Sequence, residues 1–353
     1  MKTAIGFLLL VFLATACTKS DDPSESDSLS NIERITLDEP EIFVDFGELL
    51  KGVPWAIELL ESGNLAVLDN QLNEILIFDK DGQLLRTIGS EGQGPGEFER
   101  ARMLDQCGET IGVTDFSQKK VTMFNELGEI GNIYSFSTGM LFDIFHASLC
   151  QEAYYTAANG EEGALIIKTD FRNEAVSYIG QTDADPLMVG NLDEYNRTLS
   201  RGEIPSIFYH ILTMQSDDRY LYVFHNSLSK LQKYNQDGDL QWEKSINMPE
   251  NREIFAQVVE RAGNNQSPAG VPSLSYIISM HIANGNIFLN WTRPEDDGPA
   301  LLVKMNSEGE AISVYEIPIP DTPFRNMAVD YTNGQIYLSS PGSAIIYRTR
   351  IDL

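Results

Sequence analysis

Three of the four histidines, His146, His210 and His281, recur in comparable stretches of the chain. His146 and His281 stand at nearly the same place before a following strand-like run. Imidazoles delivered from matched strands can converge on one point, as a metal site needs. The competing reading puts each on an alternating strand, where a core histidine bonds a neighbour and holds no metal. His225 falls in a loop and is expected to be solvated. A second set joins aromatic rings to the scarce basic groups of an acidic chain. Trp55, Arg102, Asp143, Tyr209 and Arg325 stand at the openings of strand-like runs, and Tyr195 and Arg197 lie in a long insertion. Aromatic faces beside Arg and Asp suit sugars or peptides, although some of these residues are expected to be core caps or surface charges.

Other catalytic patterns are missing. The sequence has no Gly-x-Ser-x-Gly elbow and no His-Glu-x-x-His. The glycine-rich run 89–96 follows a strand, but Pro95 removes a donor and no Lys-Ser/Thr follows, so it does not read as a phosphate cradle. Asp79-Lys80-Asp81-Gly82 and Asp237-Gly238-Asp239 lack the further ligands and terminal Glu of a calcium loop. With 52 acidic residues, any glycosidase-like pair could be imagined, so none is proposed from sequence.

What would position the candidates is a repeated hairpin. An apolar strand, an Asx-x-x-Gly turn and a second apolar strand recur at Asp79-Lys80-Asp81-Gly82, Asn125-Glu126-Leu127-Gly128, Asn235-Gln236-Asp237-Gly238 and Asn306-Ser307-Glu308-Gly309. Asp170-Phe171-Arg172-Asn173 is a fifth copy with Asn in place of Gly. Spacings of roughly 45 residues, or roughly 65 to 70 with insertions, are propeller-blade periods. Six second strands align, at 63–68, 109–113, 152–155, 219–223, 286–289 and 335–338. The last blade runs out after three strands. Residues 31–37 alternate at period two and are expected to pair beside residues 344–350, closing the ring.

One link is more specific. Ile88-Gly89-Ser90-Glu91-Gly92-Gln93-Gly94-Pro95-Gly96-Glu97-Phe98 resembles the Gly-x-Gly-Pro-Gly-Glu-Phe connection between blades of NHL-like six-bladed β-propellers. It is most similar to those of bacterial cell-envelope lipoproteins. Arg100-Ala101-Arg102 replaces the proline that usually follows. The resemblance implies an all-β, six-bladed propeller of four-stranded antiparallel blades around a central channel, closed by an N-terminal strand in the last blade. Channel histidines hold zinc in NHL-like lyases, so it also implies zinc as the alternative cofactor, with His146, His210 and His281 as ligands. The first expectation is no cofactor.

The N-terminus reads as an export signal. Residues 1–16 carry Lys2 and an apolar run too short to span a bilayer as a mature helix, and the small residues before Cys17 resemble a lipobox. Lipid on Cys17 would anchor the chain. Residues 17–30 form an acidic tether, and residues 31–353 the propeller. The Lys19-Ser20-Asp21-Asp22 start resembles the signal that moves some outer-membrane lipoproteins to the cell surface, so either the periplasmic side or the surface is open. A formal charge of -27 repels phosphate backbones and excludes nucleic acid as the natural partner. Beyond Cys17 the chain has only Cys107 and Cys150, each just before a second strand; a disulfide and two separate thiols both remain open.

The long insertions at 185–206, 249–272 and 292–299 all belong to one propeller face. Residues 250–262 show an apolar stripe of Ile254, Phe255, Val258, Val259 and Ala262, a short helix expected to pack on the propeller. Together these features favour a non-catalytic, membrane-anchored platform binding an envelope protein, peptide or glycan on the inserted face. The alternative is a metal-dependent lyase or hydrolase using the channel histidines.

Overall fold

The computed structural model describes residues 29–136, 147–150, 153–172, 174–182, 192–217, 219–263, 274–294, 298–318 and 324–352. Six antiparallel sheets follow in chain order, here blades one to six. Their innermost strands are Pro54–Leu59, Ala101–Cys107, Ala147–Cys150, Leu212–Ser216, Ile277–Ala283 and Asn326–Asp330. Each innermost strand touches the next and the sixth touches the first, so the sheets form a closed ring around a channel. This is a six-bladed β-propeller. Among the described residues no helix is long and apolar enough to cross a membrane.

The ring closes with an N-terminal strand, but a later one than the alternation indicates. Glu41–Asp45 pairs antiparallel with Ile345–Arg350 and completes blade six. The expected segment instead contributes Arg34–Thr36, which runs parallel along the outer strand of blade five, Ala311–Ile317. Its alternation reflects burial there: Ile35 and Leu37 pack on the cluster between blades five and six. The closing strand hides its own alternation behind a bulge between Ile42 and Val44.

Burial follows strand position. Leu65–Asp69 is buried throughout, whereas Leu84–Ile88, the outer strand of the same blade, is exposed except at Ile88. A strand buried on both faces reads as a continuous apolar run, and an outer edge does not. Separate apolar clusters fill each interface between neighbouring blades, from Phe98 and Phe124 between blades one and two to Phe46 and Phe78 between six and one. Burying one such phenylalanine contributes about 2–3 kcal/mol.

The repeated turns also join the blades. Basic side chains on one blade donate to a turn carbonyl on the next: Arg86 to Leu127, Lys168 to Gln236, Lys233 to Ser307, and Arg348 across the closure to Lys80. Gly309 shows why the turn ends in glycine. Its φ is +75°, and a Cβ would come within 2.9 Å of Trp242 on blade four. The Gly-Pro-Gly-Glu-Phe segment is a structural link. It delivers the fully buried Phe98 between blades one and two, while Lys120 Nζ caps the Glu97 carbonyl at 2.8 Å.

Among the described residues two α-helices decorate the inserted face, α1 (Leu192–Ser200) and α2 (Asn251–Gly263). The predicted stripe packs inward: Ile254, Val258 and Ala262 are buried in the cluster between blades four and five, beside Trp291 and Phe224. α1 lies against α2, and the Gln257 side-chain amide donates to the Pro294 carbonyl in the third insertion. The insertions therefore meet on one face.

Candidate functional site

The channel opens on that inserted face, and a cavity of about 280 Å³ lies inside its mouth. Bulges shape the rim. In blade one the pairing shifts between Pro54 and Ala56, in blade two beside Ala101, and in blade five between Ile277 and Ser279. The extra residues are Trp55, Arg102 and Ile278, and all three line the cavity. A bulge re-aims a side chain that regular pairing would send between blades. Arg325, immediately before the innermost strand of blade six, completes the rim.

Both arginines lie over the Trp55 indole. The guanidinium carbon of Arg325 is 3.6 Å from the ring centre and that of Arg102 is 4.8 Å. Such stacking holds the planar cations in place by the ring quadrupole and keeps two positive charges at the rim. Burial and the neighbouring Arg102 pull the Arg325 pKa down to about 10, so it still carries its charge at neutral pH. A second cleft continues from Arg325 along α2, lined by Arg261, Arg293 and Gln257.

Below the rim the cavity lining mixes Met103, Leu104, Met214 and Met280 with Thr213, Ser279 and Asn326, and the deepest lining residues are polar. Pairing registers place them at one level. Glu58 faces Ala66, Asp105 faces Gly112 and Gln215 faces Tyr222, each opposite the equivalent residue of its second strand. His281, opposite Phe288, shares that level. Glu58 is 8 % exposed. No hydrogen bond or ion pair among the described residues reaches the carboxylate of Glu58 or Asp105. The buried Oε1 of Gln215 also has no partner. Burial first, and the facing Asp105 second, push Glu58 well above the usual carboxylate range; burial pushes Asp105 to about 7. Asp105 is partly exposed where it lines the cavity.

The sequence candidates divide. Trp55, Arg102 and Arg325 come together at the mouth. Tyr195 packs half-buried against the cluster under α2, Arg197 is exposed on α1, and Tyr209 sits in the short 3-10 segment Ser206–His210; none of these three lines the cavity. Asp143, His146 and Cys17 lie outside the described residues. His210 is buried at the end of the 3-10 segment, before its innermost strand begins, whereas His281 lies deep in its own strand. The structure does not bring these two to one level. Among the described residues no three His, Cys, Asp or Glu are grouped to hold a metal ion. Cys107 and Cys150 end the innermost strands of adjacent blades.

His225 is not solvated. It ends the second strand of blade four, where blades one and two carry Asp69 and Asp115, and is 3 % exposed with Nε2 2.7 Å from Gln232 Oε1. Burial pulls its pKa down to about 4. Glu58, Asp105 and Gln215 escaped the sequence reading. The available signal was a charge inside an otherwise apolar innermost strand, as in Ala56-Ile57-Glu58-Leu59-Leu60.

Comparison with known proteins agrees on the class. Residues 48–158 match a family profile described as 6-bladed beta-propeller. Among solved structures, a Bacteroides fragilis protein assigned as exported is similar at 12% identity, covering 91% of this chain and 100% of its own, with a TM-score of 0.55. A Bacteroides thetaiotaomicron protein of unknown function is similar at 10% identity over 91% and 75%, with a TM-score of 0.53. The WD40 repeats of RRP9 are similar at 6% identity over 91% and 100%, with a TM-score of 0.54. At these identities the likeness is one of fold. No curated protein matches the sequence.

Proposed function

We propose that this propeller is a non-catalytic binding protein of the cell envelope that takes a carboxylate-bearing peptide or glycan at its channel mouth. The observation that carries the reading is the Trp55 indole with two guanidiniums over it at the rim of a cavity. An aromatic face supplies contact area, and two fixed cations select an anionic group within an otherwise acidic molecule. The basic cleft beside α2 gives a longer ligand a path across the inserted face. Export and anchoring through Cys17 rest on the N-terminal pattern of apolar run, small residues and cysteine.

The test is binding to arrays of acidic glycans and of peptides with free carboxyl termini, using the parent, Trp55→Ala and Arg325→Gln. Specific signals lost at least tenfold in both variants support the reading. Signals indifferent to both variants, or none at all, overturn it.

A further inference from the structure

We infer that the cavity floor formed by Glu58, Asp105 and Gln215 is a second subsite that binds an ammonium group, so that the channel takes a peptide of about three residues with both ends free, amino terminus down. The inference rests on the carboxylate reading of the mouth and adds the ligand's other end.

Among the described residues the floor is rich in acceptors. Glu58 and Asp105 face one cavity from adjacent blades at one level, and Gln215 adds a buried carbonyl oxygen with no partner among the described residues. Glu58 is more than nine-tenths buried and lines the cavity, and no described residue gives it a hydrogen bond or ion pair. A buried acceptor left unmatched costs about 1–3 kcal/mol, more if charged. An ammonium brings three donors and a positive charge to such a set. The raised pKa values of both carboxyls fit a site lacking its counter-charge.

Length and polarity then narrow the ligand. Trp55 and Glu58 are three strand positions apart, roughly 10 Å at about 3.3 Å per residue. The ligand needs an amine and a carboxylate at about that separation. Three extended peptide residues span roughly 10 Å. Between rim and floor the lining is mixed, with Met103, Met214 and Met280 beside the small polar Thr213, Ser279 and Asn326. Methionine adapts to different side-chain shapes and none of the three polar residues carries a charge, so the charged subsites read the termini and the wall tolerates variation between them. The cavity, at about 280 Å³, suits a ligand of this size rather than a folded partner.

The experiment is equilibrium dialysis of the protein against a mixed tripeptide library, read by mass spectrometry. Three forms are compared: both ends free, amino end acetylated, and carboxyl end amidated. The free library should be retained, and each capped library should lose at least tenfold. Glu58→Gln, which keeps shape and removes the ionisable group, should lose at least tenfold for free tripeptides; a melting curve confirms folding. Gln215→Leu provides a second floor variant with the same expected direction. Equal retention of free and acetylated forms, or an unaltered affinity in folded Glu58→Gln, overturns the floor subsite. If tripeptides fail while acidic glycans or longer peptides bind through Arg325, this inference falls and the mouth reading stands. If nothing carboxylate-bearing binds, both fall.

Discussion

Glu58 and Asp105 face a common cavity from adjacent blades at the same level, and no basic side chain among the described residues bonds either carboxylate. Burial, which comes first for Glu58 and is the sole cause for Asp105, holds each carboxyl toward its neutral form, with a consequence for stability. Asp105 rises from 3.8 to about 7 on folding. Between about pH 4 and 7 the folded chain keeps a proton that the unfolded chain releases, so this group's contribution falls as pH rises through that window and is flat above it. A shift of this size corresponds to about 4 kcal/mol, and roughly half that after allowing for lumen water. Asp105→Asn should therefore gain about 2 kcal/mol more over the parent at pH 8 than at pH 4.5. Urea unfolding at the two values checks it; equal gains would show that burial does not perturb this carboxyl.

The buried histidines slope the other way. His225 and His281 drop from 6.5 to about 4 because burial opposes their charge. The unfolded chain takes up protons first, so their contribution is lost as pH falls from about 6.5 to 4. His225→Gln should flatten acid unfolding over that range relative to the parent. An unchanged acid limb would mean that His225 titrates freely.

Ring closure depends on Arg348. It holds Glu41 of the closing strand at 2.6 Å and donates to the Lys80 carbonyl of blade one at 2.9 Å. Arg348→Met keeps much of the side-chain length and removes both bonds. Unfolding free energy should drop by about 1–3 kcal/mol, with exchange of the Glu41–Asp45 amides accelerating before that of other blades. Uniform acceleration in all blades would argue against a local role.

Two glycines with similar backbones separate conformational strain from close approach. Gly63 has φ +83° with open space around it, whereas Gly309 has φ +75° and meets Trp242. Gly63→Ala should cost about 1–2 kcal/mol from the left-handed backbone alone. Gly309→Ala should cost at least about 1 kcal/mol more, because the ring must move. Matching midpoints in denaturant would remove the contact argument.

The binding reading predicts no stoichiometric metal in protein purified without chelator. Elemental mass spectrometry on the parent and His281→Ala decides this. Near one zinc per chain, lost in the variant, would promote the lyase or hydrolase alternative.

The architecture was legible because its signals are local and repeated. Turns such as Asn235-Gln236-Asp237-Gly238 combine an Asx side chain that bonds the backbone with a glycine at positive φ, and they recur at blade spacing. Trp55, Arg102 and Arg325 stood out because basic residues are scarce in this chain. What remained hidden depends on register and depth. The bulge in Glu41–Asp45 broke the alternation that would have marked the closing strand. His225 looked like a loop residue because nothing local shows that it replaces a strand-ending aspartate. Glu58 and Asp105 are two carboxylates among 52 acidic residues, and only the pairing of separate blades puts them at one level.

The parallel pairing of Arg34–Thr36 with blade five also has a mechanical meaning. Arg34 is tied to Glu250 at 2.7 Å and to Glu316 at 3.1 Å, upstream of the strand that shuts the ring. Tension arriving from the N-terminal side loads this short clip first. Its rupture would release residues 29–40, about 4 nm of extended chain, while Glu41–Asp45 stays seated. The clip then works as a shock absorber: pulling from the N-terminus should give a small low-force step well before the rip that opens the propeller.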